Sequence, residues 1–485
     1  MQLVLFLFLA LFLQEPSFST GETSFSIAPW ASRDASHRHA PLTETQKARI
    51  HAVAQQAREV VSSLPSEEKK SQLSAGLAQI LAKSGDMQAA REVANSIKGD
   101  RERMDAMHAI AKAQAENGDF AGGWESASSI KAEINRAAAI LDVIAAQAGA
   151  KDFAGALQNA SKLTDQPAVY TSALVKIAEE KTNANQKGEA LRILERARES
   201  ASAVTSCSFE AIEGCRISIL SEIATAQLHA GDAAAGQKTL DLAQQGLAQM
   251  SQEERFVSVS QMAAAEQELG HPERAKELLS DVPGMAGQLA DMMSTMQQVS
   301  EAAMKGDMTS ARNAVDSISN PEQRATAQLM IAEAYAQSGD GKSALEALRT
   351  LKPLSQRAQF AGSVAESLAQ KGKFPEAEEA LKIGMAAAET EENDAVIGDL
   401  LGAAVKVHAS AGDVEGARTT AELIKDREKR AWAARDAARI LGSKKKDEDV
   451  LKWSAAETSA LVKANLLLGV ADGIALQESA GDKKE

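Results

Sequence analysis

The sequence has few aromatic residues and, after its first 20 residues, no hydrophobic run long enough to span a membrane. Aromatic residues make up 4% of the 485 residues. The core must therefore consist mainly of Ala, Leu, Ile and Val, whose small side chains let helices approach closely. A basic stripe is also missing, since 53 Lys and Arg face 67 Asp and Glu, a net charge of −14. We expect no membrane span in the mature chain and no nucleic-acid partner, because phosphates require clustered cations.

The one strongly apolar segment lies at the start of the sequence. Residues 3–13 are apolar and are followed by Pro16 and several small residues. A run of this length is too short for a bilayer and is typical of an export signal. No Lys or Arg precedes it and no clean Ala-x-Ala site follows, so a buried N-terminal helix or an uncleaved anchor is the alternative. We predict a signal peptide at residues 1–20, a flexible linker at residues 21–42 and a periplasmic or secreted protein.

A Gly-Asp pair returns along the chain at nearly fixed intervals. Gly can adopt the left-handed conformation that ends a helix, and the following Asp can accept backbone N–H groups as the N-cap of the next helix. Gly85 and Gly118 are 33 residues apart, as are Gly306 and Gly339. The pair therefore predicts a turn between two helices, and its period predicts stacked helix pairs. The pairs are Gly85-Asp86, Gly118-Asp119, Gly231-Asp232, Gly306-Asp307, Gly339-Asp340 and Gly412-Asp413.

Related turn signals raise the count to about ten helix pairs. Asp152 keeps the cap, Gly270 and Gly372 keep the glycine, and Lys187-Gly188 is a weaker version. Because the last unit of such a stack faces water, we expect it to have a polar outer face. The predicted segments after the linker are an N-terminal helix at residues 43–65, repeats at residues 66–441, C-terminal capping helices at residues 442–478 and a polar tail at residues 479–485.

An arginine recurs eighteen residues after the turn position in five units. Each arginine lies at the start of a first helix, seven residues before an apolar position that we expect to be buried on the same face. An arginine there is close to the C-terminal end of the preceding second helix, and its donors can bond the free carbonyls at that end. The five are Arg103, Arg136, Arg324, Arg357 and Arg430.

Two cysteines, Cys207 and Cys215, are eight residues apart. On one continuous helix they would lie about 12 Å apart, too far for a disulfide. Gly214 and the Ser/Thr-rich residues 200–208 favour a loop, and a loop-closing disulfide is compatible with export. Two separate structural thiols are the alternative.

The helix pairs resemble the tetratricopeptide-repeat family, over residues 66–441. Gly118-Asp119-Phe120, residues 372–377 and the segment from Tyr335 to Gly339 match the turn of the family motif. The early Trp and the closing Pro of the motif are missing, and HEAT-like repeats are the alternative. The resemblance implies an all-α, right-handed α-solenoid of about ten antiparallel helix pairs, in which the first helices line a concave face.

By this resemblance, polar residues of the first helices are the candidate groove. They are mixed in charge, which suits an extended peptide or protein segment held by hydrogen bonds rather than a small apolar ligand. The candidate groove residues are Gln79, Lys83, His108, Lys112, Glu116, Glu333, Gln337, Glu366, Gln370 and Lys406.

No set of residues in the sequence forms a catalytic constellation. The seven histidines have no metal-binding spacing, and no nucleophile motif or paired carboxylates stand out. We predict no catalytic, cofactor or metal residues and a non-enzymatic exported scaffold that binds a protein or peptide of unknown identity. A structural or regulatory arm of a cell-envelope complex is the alternative, and an enzyme with an unrecognised site is a more remote one.

Overall fold

The computed structural model describes residues 42–204, 212–248, 250, 255–280, 307–318 and 321–477. The predicted signal peptide, almost all of the linker, the polar tail and Cys207 lie outside these residues. Within them the chain is helical and has no β-strand, which confirms the prediction of an all-α solenoid. No helix in this part of the chain has both the length and the apolar character needed to cross a membrane.

The described helices are α1 (Glu44–Ser62), α2 (Glu67–Lys83), α3 (Met87–Ser96), α4 (Asp100–Glu116), α5 (Phe120–Ser128), α6 (Glu133–Gly149), α7 (Phe153–Ser161), α8 (Pro167–Asn183), α9 (Lys187–Ala201), α10 (Ile212–His229), α11 (Ala233–Leu247), α12 (Arg255–Glu268), α13 (Pro272–Ser280), α14 (Met308–Asp316), α15 (Pro321–Ser338), α16 (Gly341–Thr350), α17 (Leu354–Gln370), α18 (Phe374–Thr390), α19 (Asp394–Ala411), α20 (Val414–Glu422), α21 (Arg427–Ser443), α22 (Asp447–Ala456) and α23 (Ala460–Ala475).

The Gly-Asp turn has the geometry that the sequence predicts. Gly118 has a φ of 85°, and the Asp119 carboxylate accepts a hydrogen bond from the backbone N–H of Gly122 at 2.9 Å. The same cap, from the Asp to the N–H three residues later, recurs along the described chain. Its aspartates are Asp86, Asp119, Asp152, Asp232, Asp307, Asp340 and Asp413.

One turn and one loop differ from the prediction. In the fourth pair Asn185 takes the left-handed position, with a φ of 60°, and Gly188 lies inside α9. Asn tolerates this conformation better than most residues, so it replaces the glycine. The loop that we expected around Gly214 and Cys215 is also wrong for these two residues, because α10 begins at Ile212.

Small residues let the two helices of a pair approach each other. The position five residues after the turn is fully buried where it is Ala, as at Ala156, Ala344 and Ala377. Where it is Gly123, a Cβ would lie 2.9 Å from the backbone oxygen of Ala111. The second helix therefore touches the backbone of the first, which explains why the sequence is rich in Ala and poor in aromatics.

Helices α1 and α23 lie outside the sequential pairs, and they pack against each other. Helix α23 also contacts α2 and α21, so the two ends of the array meet. Eleven of the 16 residues of α23 are buried. We expected the last unit to have a polar outer face. This expectation is wrong, because the outer face of α23 is apolar and α1 covers it. We call α1 and α23 the composite pair.

Candidate functional site

Four of the five recurrent arginines bond the end of the preceding helix, as predicted. Arg357 donates from Nε and Nη2 to the backbone oxygen of Leu351 at 3.2 and 2.9 Å. Arg136 donates to the oxygen of Ile130 at 3.0 Å, and Arg103 and Arg324 make the equivalent contact six residues back. The position seven residues after each arginine is buried, as expected. These four arginines serve the stack rather than a ligand.

Two further arginines do the same, and one predicted arginine does not. Arg216 donates to the oxygen of Ser202 at 3.1 Å and Arg255 to that of Met250 at 3.2 Å. Neither arginine lies eighteen residues after the preceding turn, because the intervals between turns are irregular there. Both lie 15 residues before the following turn. Arg430 instead pairs with the buried carboxylate of Glu457 at 3.0 Å.

A buried polar residue four positions before the turn also supports the cap. Gln147 donates from Nε2 to the Asp152 carboxylate at 2.7 Å and accepts from Asn159 Nδ2 at 2.8 Å. Gln114 makes the same bridge between Asp119 and Ser126. The glutamine links the first helix, the cap and the second helix of one pair. Its fixed spacing from the turn is a signal that is visible in the sequence.

The predicted groove residues all lie on first helices, on a surface that we call the first-helix face. Its role as a groove stays a prediction. Six of the ten are exposed to solvent, namely Gln79, Lys83, Lys112, Glu116, Gln337 and Gln370. The other four are partly buried, namely His108, Glu333, Glu366 and Lys406.

The partly buried members bond across neighbouring first helices. His108 Nε2 lies 3.0 Å from the Asp142 carboxylate, and Lys406 Nζ lies 2.5 Å from that of Glu366. Burial raises the pKa of Glu333, and a hydrogen bond from Ser363 partly opposes this shift. These residues join successive repeats, so a partner on this face would have to compete with contacts that already exist.

Glu222 on α10, which is not among the predicted groove residues, also has a raised pKa. The residue is exposed to solvent, yet the neighbouring helices remove enough water from around its carboxyl group to raise its pKa to about 7. Lys176 on α8 opposes the shift, and Glu179 adds to it. Burial lowers the pKa of Lys176, but the carboxylates of Glu179, Glu222 and Asp142 outweigh it and raise that pKa. Three carboxylates from three successive first helices therefore surround one ammonium group.

No known protein-family model matches the sequence, and no curated protein is similar to it. Solved structures with a distant likeness to the chain include the following three. Ton1535 from Thermococcus onnurineus NA1 is 15% identical over 74% of this chain and 97% of its own, with a TM-score of 0.32. Naa15/Naa10 bound to HypK-THB is 14% identical over 86% and 69%, with a TM-score of 0.28. The APC/C hetero-tetramer Cut9-Hcn1 is 13% identical over 88% and 94%, with a TM-score of 0.22. Likenesses at this level carry no argument about function.

The helix pairs decide the architecture. The chain is a tetratricopeptide-like α-solenoid. Its first-helix face presents carboxylates, amides and ammonium groups. Among the described residues no group of three or more His, Cys, Asp or Glu is arranged to hold a metal ion. The pairing of Cys207 with Cys215 stays a prediction, since Cys207 is not among the described residues, and Cys215 is 7% exposed in α10.

Proposed function

We propose that this solenoid is an exported, non-catalytic scaffold that holds an extended protein or peptide segment along its first-helix face. The observation that carries the proposal is the polar character of that face over many successive repeats. Neighbouring first helices present His108 and Asp142, then Lys176 and Glu222, each nine or ten residues before the turn of its pair. Such a row suits the regularly spaced polar groups of an extended chain.

The spacing of the row supports a long ligand over a small one. Packed helices lie about 8–10 Å apart, which is close to three residues of an extended segment at about 3.3 Å per residue. A segment that crosses several first helices could therefore bond one of them at every third residue. A small molecule would contact only one or two repeats.

Charge reversal on the first-helix face tests the proposal. Lys112→Glu and Glu333→Lys should each weaken recovery of a partner from the organism's own extract by at least about tenfold, because like charges then face each other. Matched controls are Lys238→Glu and Glu346→Lys, which change exposed residues of second helices and should leave recovery unchanged. Circular dichroism must show that all four variants fold, since Glu333 is partly buried.

A partner that the controls and the first-helix variants retain equally would contradict this site. That result would favour the second candidate, a structural or regulatory arm of an envelope complex that uses another surface. Export has its own test, which does not depend on binding. Mass spectrometry of the native protein should find an N-terminus close to residue 20 in a periplasmic or secreted fraction.

A further inference from the structure

The composite pair joins α1 and α23 without a covalent turn. In a sequential pair the backbone N–H groups of the turn bond the last carbonyls of the first helix, as when the Asp119 N–H donates to the oxygen of Gln114 at 2.8 Å. In the composite pair a buried side chain donates these hydrogen bonds instead. Gln46 of α1 donates from Nε2 to the backbone oxygens of Ile474 and Gln477 at 3.2 and 3.0 Å. The two helices are therefore held by reversible contacts.

An ion pair completes this junction. Arg49 of α1 bonds the carboxylate of Asp447, which is 4% exposed. Gln477 accepts from Arg49 Nη1 at 3.3 Å and donates to the backbone oxygen of Gly442 at 2.7 Å. The Arg49 side chain is 39% exposed, so water reaches the arginine while the aspartate stays buried. Loss of Arg49 would leave a buried charge without its cation, which strongly disfavours the closed arrangement.

The two sides of α23 differ in how firmly they are held. Toward α21 the backbones touch, because a Cβ on Gly473 would lie 2.8 Å from the Cα of Gly442. Toward α2 the contact is incomplete: a cleft of about 30 Å³ remains, and the buried Asn465 Oδ1 beside it has no hydrogen-bond partner among the described residues. Lys69 of α2 bridges this side to Glu428 at 2.9 Å. Of these two sides, the one toward α2 is therefore the easier to separate.

We propose that the composite pair is a polar latch, in which Gln46, Arg49 and Asp447 hold the two ends of the solenoid together and release them as a unit. In the released state α1 and α2 part from α21 and α23, while the sequential pairs stay intact. Release gives side access to the first helices nearest the junction. The latch is a property of the fold and does not depend on the function proposed above.

Hydrogen-exchange mass spectrometry and small-angle X-ray scattering of the full chain test the latch. In Arg49→Ala the amides of α1 and α23 should exchange at least about tenfold faster, and the radius of gyration should rise at the mass of a single chain. Amides of α6 to α8 should be unchanged. Arg58→Ala is the matched control on the same helix, and it should change neither readout. The Arg58 side chain is 54% exposed, and its ion pair with Glu92 is long, at 3.8 Å.

The double variant Arg49→Met with Asp447→Leu separates a latch from damage to the fold. Apolar side chains of similar size can replace a buried ion pair, so the double variant should recover slow exchange and the smaller radius. Faster exchange of α1 at an unchanged radius would mean that α1 only frays, and this would overturn the proposal. A doubled mass would overturn it too, because the composite pair would then form between two chains.

Discussion

Removing the Arg357 guanidinium should destabilise the junction of α16 and α17 by about 2 kcal/mol. The group donates twice to the backbone oxygen of Leu351, a residue that is fully buried at the end of α16. A hydrogen bond from a charged donor contributes roughly 1.5–3 kcal/mol, and a cation at a helix C-terminus adds about 0.3–1 kcal/mol. Arg357 is partly exposed, which places the expected loss in the lower half of the combined range.

Hydrogen exchange is the appropriate assay, because a repeat array need not unfold in one step. A loss of about 2 kcal/mol in Arg357→Ala corresponds to roughly 30-fold faster exchange of the protected amides in α16 and α17. Arg349→Ala is the control at the same junction, since Arg349 and Glu379 are both exposed and such a bridge contributes about 0.2–1 kcal/mol. Equal losses in the two variants would refute the reasoning. Arg357→Lys should fall between them, because lysine cannot donate twice in the plane of one carbonyl.

Two more predictions concern titration and backbone conformation. Burial raises the pKa of Glu222 from 4.5 to about 7, so the folded protein keeps a proton that the unfolded chain releases near pH 4.5. Wild-type stability should therefore fall between about pH 4.5 and 7 relative to Glu222→Gln, measured by thermal melts across that range; parallel pH curves for the two proteins would contradict the shift. Gly372→Ala should cost about 1–2 kcal/mol because Gly372 has a φ of 72° with open space around it. Gly188 is also in open space but lies inside α9, so Gly188→Ala should stabilise the protein by about 0.5–1 kcal/mol. If both glycine variants changed the free energy of unfolding in the same direction, backbone conformation would not be the cause.

The repeating part of the fold could be predicted because its signals are local. A glycine that ends one helix and an aspartate that caps the next act over four residues, as Gly118 and Asp119 show. The arginine contact spans only six residues, from Arg136 to Ile130. Each such signal works in the same way in most units, so the sequence alone is sufficient to place it there. Where a unit departs in length, as before Arg216, the same signal is still present but the count must start from the other side.

The first-helix face was only partly predictable, because its charges act between repeats. The sequence shows that His108 and Asp142 are one repeat apart, but their contact depends on how far one first helix is shifted against the next. Glu222 was missed for the same reason. Its raised pKa comes from the helices around it and from Glu179 on the preceding repeat, and neither is visible in the residues next to it.

The meeting of α1 with α23 required information that no single repeat contains. A small rotation at each of many junctions decides whether the two ends of a solenoid come together, and a sequence period does not give that rotation. The sequence of the last helix nevertheless contains a signal for this contact. Residues 466–471 are Leu, Leu, Leu, Gly, Val and Ala, which makes the middle of α23 apolar on all sides. A helix at the free end of a stack needs one polar face. An end helix without a polar face must therefore pack against a further helix. In this chain α1, the other helix outside the sequential pairs, packs against α23.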